Sequence, residues 1–446
     1  MMRVLLVVEP PTRRAVSLTT MPPLGVLSVA SALEARGVRC DVRDRNVDAS
    51  PLKAQGYDAV GFSVNVTNVG STLAAVRGLR AGQAPVRIVA GGPLCMTHAD
   101  RLVLAGFDAA VIGEGEDTLY EYLTASDPAT VAGLCLPAGE GTTRTPPRPW
   151  EEKLDRFPPP ALDKVDLRRY RCSLRRALPV SSIVTSRGCP YNCIFCFHAA
   201  GHRFRARSPR HVVDEIEWQV RELGVRELCV DDDNFTLDIG RAMAICRLIG
   251  ERGLRVRLQL RAGVRVDRLT FDLCRSLKEA GTWLVTISPE TGGDDGLLRI
   301  KKGFTMAHVH QAMAWCRRAG LAVLACYMVG FPWEGRSEVA ATIRAALEVG
   351  SDFIQVTRVR PFPSTELYDM ADFGAEKDDG VIDTPGLFQG RVMHRTGISE
   401  DDLRSLLKSF HRRFYLRPRQ VWRMARLVSP GCLLEMGRFA LATRNV

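Results

Sequence analysis

The sequence lacks an apolar run long enough to cross a membrane. Its first apolar segment, Arg3 to Val8, is followed at once by Glu9 and Pro10, which is typical of a buried strand and not of a secretory signal. We therefore expect a cytoplasmic protein. Of its 446 residues, 46% are hydrophobic and 25% are charged, which is ordinary for a soluble chain of two or three domains.

Features of nucleic-acid and nucleotide-binding proteins are also scarce. The net charge is +11, but arginine far outnumbers lysine and the charges are spread along the chain, so we expect no nucleic-acid partner. Neither G-x-G-x-x-G nor a phosphate-binding P-loop occurs, which gives nicotinamide and ATP little support.

Disulfides are not expected among the 13 cysteines, because cytosolic thiols stay reduced. Most of the cysteines are scattered singly. Five of them fall within apolar patterns, where cysteine behaves as a small hydrophobe and needs no chemical role. These five are Cys229, Cys246, Cys274, Cys316 and Cys326.

Three other cysteines share one short turn between Arg187 and Phe197. They are Cys189, Cys193 and Cys196. Such thiolates bind zinc or iron–sulfur clusters. No second cysteine pair follows at zinc-finger spacing, although His198 or His202 is near enough to be a fourth zinc ligand. We favour a cluster, in which one iron would stay open for a ligand, over zinc and over a chance group of buried thiols.

Residues 1 to about 140 alternate apolar strands with helical segments, which predicts βαβ units and a doubly wound parallel sheet. The predicted strands are Val4 to Val8, Cys40 to Arg43, Ala59 to Ser63, Arg87 to Ala90 and Ala109 to Ile112, with helices such as Leu24 to Arg36 and Thr72 to Arg80. Such sheets bind ligands at the carboxyl ends of their strands.

Small and turn-forming residues fill the loops at those ends, where glycine allows a bulky ligand to approach the backbone. Loops that only turn the chain would look the same. The candidate binding residues are Pro23, Leu24, Gly25, Ser63, Asn65, Thr67, Gly91, Gly92, Pro93, Gly113, Glu114, Gly115 and Glu116.

Proline-rich segments between about 141 and 179 predict an extended linker. A second βα series follows from 180 to about 370, with helix N-caps expected at Thr236 and Thr305. Its predicted strands are Ser182 to Thr185, Glu227 to Asp231, Val256 to Leu260, Leu284 to Ile287, Ala322 to Val329 and Phe353 to Val359. Six units predict a partial (β/α)6 barrel with its active site at the carboxyl ends of the strands.

Polar residues cluster at those strand ends. The cysteine turn follows the first strand, and the later positions are Asp231, Asp232 and Asp233, then Ser288 and Glu290, then Gly330. Lys301 and Lys302 follow the fourth strand and helix. Each has an ordinary alternative, because acidic residues at strand ends are often N-caps and lysine is usually solvated.

The Cys-x3-Cys-x2-Cys turn, with Phe195 before its last cysteine and the apolar segment Ile183 to Thr185 before the turn, resembles the radical S-adenosylmethionine (SAM) enzymes. The first domain resembles the cobalamin-binding domain of one large subgroup, although Val16 to Met21 lacks the Asp-x-His-x-x-Gly of other cobalamin domains. Segments such as Lys301 to Gly303 and Arg360 to Thr365 resemble the branch with anaerobic tetrapyrrole cyclases and hopanoid-processing proteins.

This resemblance implies a [4Fe-4S] cluster on the three cysteines, SAM, cobalamin without a histidine ligand, and a ferredoxin or flavodoxin as electron donor. It implies that the aspartate group meets the ammonium of SAM and that Ser288 and Glu290 meet its ribose. Gly330 would lie near the adenine, Lys302 and Lys301 near the SAM carboxylate, and Phe195 in the same site.

The resemblance also implies the chemistry. An electron from the cluster cleaves SAM to a deoxyadenosyl radical, which takes hydrogen from the substrate, and cobalamin passes on a methyl group from a second SAM. We predict a methyltransferase acting on an unactivated carbon of a small biosynthetic intermediate. The alternatives are a non-methylating ring contraction, oxidative cyclisation or heteroatom insertion and, more remotely, a cobalamin sensor without catalysis.

After about residue 370 the βα pattern weakens, and 371–446 is predicted to be a helical region that begins with the acidic segment Gly374 to Asp383. Ser399 to Phe414 is predicted as a helix that caps the barrel. The basic end, His411 to Arg426, has apolar and aromatic residues between its charges. It is either a membrane-surface or lipid-substrate contact, or a helical tail packed on the barrel, which we favour.

Overall fold

A computed structural model of the chain describes residues 1–12, 19–82, 85–371 and 397–435. The chain divides into two compact units: the first comprises Met1–Tyr170 with Ala199–Gly201, and the second comprises most of the described residues from Arg171 onward. Within these described ranges, no helix is both long and apolar enough to cross a membrane. The acidic segment Gly374 to Asp383 lies outside the described residues.

The first unit contains a sheet of seven strands in the order β2-β1-β3-β4-β5-β6-β7. The strands are β1 Arg3–Val8, β2 Arg39–Asp44, β3 Ala59–Ser63, β4 Arg87–Gly91, β5 Ala109–Val111, β6 Leu134–Ala138 and β7 Gly141–Arg144. The helices are α1 Leu24–Glu34, α2 Val69–Ala81, α3 Cys95–Leu104 and α4 Gly115–Thr124. The first five strands are parallel, and β6 and β7 are antiparallel.

Helices cover both faces of this sheet because its central strands are apolar on both sides. Phe62 and Ile88 pack on one face with residues of α2 and α3, whereas Leu6 and Val89 pack on the other with residues of α1 and α4. Strands that are buried on both faces are typical of parallel sheets between helix layers. The predicted doubly wound sheet is confirmed.

The antiparallel strands β6 and β7 are not among the predicted strands. β7 is polar and opens the stretch that we predict as a linker, and it forms the edge of the sheet, where one side needs no partner strand. Farther along that stretch Leu154, Leu162 and Leu167 are buried, and the hydroxyl of Tyr170 donates to Asp44 Oδ2 over 3.0 Å. Residues 141–170 therefore form part of the first unit.

The second unit contains six parallel strands in chain order, β8-β11-β12-β13-β14-β15. Their bounds are β8 Val180–Ile183, β11 Glu227–Val230, β12 Arg257–Val264, β13 Thr282–Glu290, β14 Ala322–Val329 and β15 Phe353–Arg358, with a short ribbon of β9 Ser186–Arg187 and β10 Arg205–Ala206. The predicted partial barrel is confirmed.

Helices follow the strands of the second unit in turn. They are α5 Pro209–Arg221, α6 Ile239–Glu251, α7 Phe271–Glu279, α8 Asp294–Arg299, α9 Met306–Ala319, α10 Arg336–Val349, α11 Glu366–Met370, α12 Glu400–Tyr415 and α13 Pro418–Leu427. Thr305 caps α9 as predicted. The predicted cap at Thr236 is wrong, because α6 starts later and the Asp238 side chain accepts from Arg241 N, while Thr236 is buried.

The carboxylate of Glu227 joins several segments at the end of the barrel where the strands begin. Glu227 is fully buried and accepts from the backbone N–H groups of Arg176 and Ala177 over 2.7 and 2.6 Å. It also accepts from Gln259 Nε2 over 2.5 Å and from Trp283 Nε1 over 2.8 Å. These bonds satisfy a charge that would otherwise be costly to bury.

The C-terminal helices pack on the same unit. α12 begins after the Ser399 cap and buries Leu403 and Phe410, which confirms the predicted helix. Met424 and Leu427 of α13, together with Val428 and Cys432, pack on Trp283, Leu284, Ala322 and Phe353 near the starts of the strands. One side of the basic tail, that of Met424 and Leu427, thus packs on the barrel, as we favour.

Candidate active site

The cysteine turn leaves the carboxyl end of β8 and lies between β9 and β10. Gly188 adopts φ +83°, a conformation that glycine takes without strain, and its N–H donates to Asp233 Oδ2 over 2.9 Å. Ile194 in the turn is buried. Its N–H donates to Ile300 O, and its carbonyl oxygen accepts from Leu367 N. Both ends of the turn are therefore fixed to the barrel.

The three thiols lie close enough to influence one another. Burial raises the pKa of Cys189 and of Cys196, and the nearby Cys193 raises both further. Within the described residues, no group of three His, Cys, Asp or Glu side chains surrounds a position for a single metal ion. The donor set, three thiols on one turn, fits an iron–sulfur cluster with three protein ligands.

The two histidines proposed above as alternative zinc ligands interact with other groups. His198 Nε2 lies 2.8 Å from the carbonyl oxygen of Tyr191. Its ring stacks on that of His202 with centroids 3.8 Å apart. Nε2 of His198 is thus engaged with the backbone of the cysteine turn.

The three aspartates after β11 point to different partners. Asp231 forms a bidentate pair with Arg261 over 3.0 and 2.9 Å. Asp232 is fully buried and accepts from the hydroxyls of Thr185 and Ser186 over 2.5 and 2.6 Å. Burial nevertheless raises the pKa of Asp232. Asp233 is the aspartate that contacts the cysteine turn.

Glu290 and Lys302 form a buried ion pair at the end of β13, with Lys302 Nζ 2.8 Å from Glu290 Oε1. Burial disfavours the ammonium, but Glu290 and Cys193 outweigh it and raise the pKa of Lys302. The same ammonium lies 5.4 Å from the ring centroid of Phe195. The ion pair is therefore adjacent to the cysteine turn.

Lys301, by contrast, turns away from Lys302 and pairs with Glu366 over 2.6 Å. Both partners are about half exposed. Lys301 adopts φ +55°, a left-handed conformation that is uncommon for residues other than glycine. The structure thus brings Lys302, but not Lys301, to Glu290.

The loop after β14 carries Gly330, whose N–H donates to Glu334 Oε2 over 2.6 Å. Phe331 follows and is fully buried, with its ring centroid 6.4 Å from that of Phe195. Glu334 also accepts from Phe331 N. An aromatic pair therefore links the fifth strand end to the cysteine turn.

Arg261 and Cys326 also belong to this region and are not among the predicted site residues. Arg261 on β12 pairs with Asp231. Cys326 on β14 hydrogen-bonds with Ser288 on β13. Burial, and to a lesser extent the nearby Glu290, raises the pKa of Cys326 to about 12. Cys326 lies in an apolar run, so its pattern indicates core. Its partly exposed side chain alternates with the buried Ala325 and Tyr327.

The candidate cobalamin residues lie at the carboxyl edge of the first sheet. Asn65 Oδ1 accepts from the N–H and the hydroxyl of Thr67 over 2.8 and 2.7 Å, so the loop after β3 is ordered by its own side chains. Gly91 ends β4 beside Ser63 of β3. Gly92 follows at φ +93°, where a Cβ would stand 3.0 Å from Ser63 Oγ, and Pro93 leads into α3. The loops after β3 and β4 therefore touch.

The other two loops meet at α1 and α4. Pro23 precedes α1, which starts at Leu24, and a Cβ on Gly115 would stand 3.1 Å from Val29 of α1. Glu114 Oε2 accepts from Glu151 N over 3.0 Å, and Glu116 is buried. A Cβ on Gly25 or on Gly113 would meet no atom of the described residues within 4 Å. Among the described residues, this edge thus leaves space beside two of its glycines.

Two family models match the chain. Residues 12–123 match the B12 binding domain, and residues 183–346 match the radical SAM superfamily. The chain is a radical SAM protein with a B12 binding domain. The predicted family is thereby confirmed, and the cofactors of this radical SAM protein are a [4Fe-4S] cluster, SAM and cobalamin.

Relatives of this radical SAM protein include an uncharacterized methyltransferase of Pyrococcus horikoshii, which is 29% identical and covers 94% of this chain and 93% of its own length. The anaerobic magnesium-protoporphyrin IX monomethyl ester cyclase of Cereibacter sphaeroides is 26% identical over 70% of this chain. The match spans only 52% of the cyclase.

A solved structure has the same fold. The radical SAM methyltransferase TsrM from Kitasatospora setae, solved with tryptophan substrate and a SAM analogue, superposes with a TM-score of 0.69. It is 22% identical and covers 83% of this chain and 76% of its own. At this identity the likeness establishes the fold of this radical SAM protein and leaves its substrate open.

Proposed function

We propose that this protein is a cobalamin-dependent radical SAM methyltransferase that methylates an unactivated carbon of a small molecule. The observation that carries the proposal is the cysteine turn, held by Asp233 and adjacent to the Glu290–Lys302 pair, in a chain whose other unit has the open B12-type edge. The methyltransferase relative that spans nearly the whole chain supports methyl transfer. TsrM, with its tryptophan substrate, supports a small molecule as the acceptor.

The residues of the second unit have distinct roles in this proposal. Cys189, Cys193 and Cys196 hold the cluster. Asp233, which lies against the turn, receives the ammonium of SAM, because the other two aspartates are engaged by Arg261 and by the core. When bound, the cluster supplies the electron that cleaves SAM, and cobalamin supplies the carrier for the methyl group.

The Glu290–Lys302 pair offers SAM one group of each sign. Lys302 is positively charged when paired and suits the SAM carboxylate, while the second carboxylate oxygen of Glu290 and the hydroxyl of Ser288 suit the ribose hydroxyls. Phe195, near Gly330, provides an apolar wall for the adenine, and the buried ring of Phe331 supports Phe195 from behind. These side chains orient SAM and keep water from the reacting groups.

In the first unit, the loops that carry Ser63, Asn65, Thr67, Gly91, Gly92 and Pro93 would line one side of the cobalamin site. Those that carry Pro23, Leu24, Gly25, Gly113, Glu114, Gly115 and Glu116 would line the other. The open space at Gly25 and Gly113 supports this arrangement. A small ferredoxin or flavodoxin is the proposed electron donor.

The deciding experiment uses protein reconstituted anaerobically with iron, sulfide and cobalamin and then given SAM and a low-potential reductant. S-adenosylhomocysteine and 5′-deoxyadenosine are quantified together. We expect both, and a mass gain of one methyl group in the acceptor once candidate acceptors are added. Deoxyadenosine without S-adenosylhomocysteine, with cobalamin bound, would favour the second candidate, a non-methylating reaction related to that of the cyclase relative.

The variant Cys193→Ala distinguishes the proposed enzyme from a cobalamin sensor without catalysis. We expect this variant to lose the cluster absorbance and all deoxyadenosine formation while it still binds cobalamin. Cys246→Ala is the matched control, because Cys246 is buried on α6. This substitution is expected to leave deoxyadenosine formation and cobalamin binding intact. A Cys193→Ala protein that still formed deoxyadenosine would disprove the proposed role of the turn.

A further inference from the structure

Helix α13 is apolar on two opposite sides. One side, with Met424 and Leu427, packs on the barrel. The residues Pro418, Val421, Trp422 and Ala425 recur at i, i+3, i+4 and i+7, so they share the other side of the helix. All four are exposed, and Val421 and Trp422 are 53% and 57% exposed. A helix that only covered the barrel would need no second apolar stripe.

Basic residues border this stripe. Arg417 and Arg426 are exposed, and the guanidinium of Arg426 lies 3.5 Å from the ring centroid of Trp422. Leu416, just before the helix, is 67% exposed. The segment from His411 to Leu427 contains six arginines and no aspartate or glutamate. We call Leu416, Arg417, Pro418, Val421, Trp422, Ala425 and Arg426 the α13 outer face.

We propose that the α13 outer face docks the protein on the surface of an anionic lipid bilayer. An apolar stripe that contains tryptophan, bordered by arginines, matches the two layers of that surface. The apolar side chains enter the boundary with the acyl chains, and the guanidinium groups bind the anionic headgroups. Tryptophan is suited to this boundary because it combines an apolar body with an N–H donor.

Two other occupants fit less well. A second copy of the chain, related by a two-fold axis, would bring one arginine-rich face against another. An electron-donor protein would sit far from the cluster, because α13 packs at the starts of β13, β14 and β15. The cysteine turn follows the carboxyl end of β8, a strand that runs parallel to them. Charge and position therefore favour the bilayer.

The test is co-sedimentation of the full-length holoprotein with unilamellar vesicles. One set contains phosphatidylcholine alone, and the other contains phosphatidylcholine with phosphatidylglycerol. We expect binding to the anionic vesicles only, weakened as salt is raised because the headgroup contacts are screened. Val421→Asp combined with Trp422→Asp is expected to abolish binding, and Arg417→Glu combined with Arg426→Glu to lower the partition coefficient at least tenfold.

Leu104→Asp is the matched control, because Leu104 is 61% exposed on α3 of the first unit. We expect it to bind vesicles like the unchanged protein. All variants should form deoxyadenosine at the rate of the unchanged protein, since the α13 outer face lies outside the cysteine turn and the strand ends. Failure of the proposed methyl transfer would thus leave the vesicle result intact.

Three outcomes would overturn the proposal. They are no binding to anionic vesicles, equal binding to both vesicle types, and binding that survives the Val421 and Trp422 substitutions. A dimer in light scattering that the same substitutions dissociate, without vesicle binding, would assign the α13 outer face to a second copy instead.

Discussion

Lys302 Nζ lies 2.8 Å from Glu290 Oε1 at a position where both side chains are about nine-tenths buried. Removing one partner would leave the other charge unpaired in a place that water does not reach. Removing both leaves two neutral groups of similar volume. The pair therefore links the stability of the barrel to the residues proposed to bind SAM.

We predict that Lys302→Met destabilises the second unit by about 3 kcal/mol or more, because it leaves a buried unpaired carboxylate. Adding Glu290→Gln should recover part of that loss. Thermal unfolding of the two variants under anaerobic conditions measures the difference. A double variant less stable than Lys302→Met would contradict a direct charge interaction.

Asp233→Asn is expected to weaken SAM binding, since loss of a charged acceptor costs about 1.5–3 kcal/mol, roughly ten- to hundredfold in affinity. Asp231→Asn is the matched control, because Asp231 is paired with Arg261. Isothermal titration of the reconstituted protein with SAM tests both variants. Equal losses in the two would show that Asp233 has no special position.

The open edge of the first unit leads to a prediction for cobalamin. Gly25→Leu places its Cβ where no atom of the described residues lies within 4 Å, so folding should be little affected while the ligand is displaced. An overlap of about 1–3 kcal/mol corresponds to roughly five- to hundredfold weaker binding. Gly78→Leu, also with open space but on α2, is the control. Cobalamin titration followed by absorbance gives the affinities, and unchanged binding by Gly25→Leu would place the ligand elsewhere.

At β15, the last strand of the sheet within the described residues, the hydroxyl of Tyr415 donates to Ile354 O over 2.7 Å and accepts from Ile354 N over 3.0 Å. Tyr415→Phe removes both bonds to a buried residue, which should cost about 1–3 kcal/mol in free energy of unfolding. Tyr57→Phe, which removes a bond to the partly exposed Asp41, should cost less. Urea unfolding measures both losses. Equal losses in free energy of unfolding would mean that the backbone groups of Ile354 find other hydrogen-bond partners when the Tyr415 hydroxyl is removed.

The pair of Asp100 and Arg144 holds β7 on α3 and predicts a pH dependence. The hydrogen bond from Arg144 lowers the pKa of Asp100 from 3.8 to about 2. The folded state therefore binds this proton less tightly than the unfolded state, so the stabilisation is present above pH 3.8 and is lost toward pH 2. Solvent screening limits it to about 1 kcal/mol or less, since both side chains are nearly half exposed.

Unfolding of the unchanged protein and of Asp100→Asn, compared at several pH values, tests this prediction. The stability difference should be constant near neutral pH and should shrink between pH 3.8 and about 2. A difference that does not change over that range would mean that the pair contributes no pH-dependent stability.

The strands were largely predictable, because each is a short apolar run between turn signals. Ala322–Val329 is observed with the predicted bounds, and five predicted strands of the first unit correspond to β1 to β5. The polar β7 could not be predicted, because an edge strand needs no apolar pattern. The cap at Asp238 was missed because Thr236 and Asp238 are both suitable residue types, and only the path of the chain decides between them.

The positions of the candidate site residues were predictable, but their partners were not. Asp231, Asp232 and Asp233 are consecutive, yet their partners come from residues 261, 185, 186 and 188. Those contacts depend on how the strands are aligned in the sheet. The same holds for Cys326, because only closure of the sheet reveals which side of β14 faces Ser288.

The hydrogen bonds that stabilise the barrel around Glu227 involve other residues than those exposed on its last strand. Its four hydrogen bonds lie at the end where the strands begin, whereas Gln355 and Thr357, exposed on β15, do not take part in it. A library that randomises those two positions should therefore yield mostly folded proteins. In this barrel, the residues that hold the strand starts together are thus separate from those exposed on the last strand.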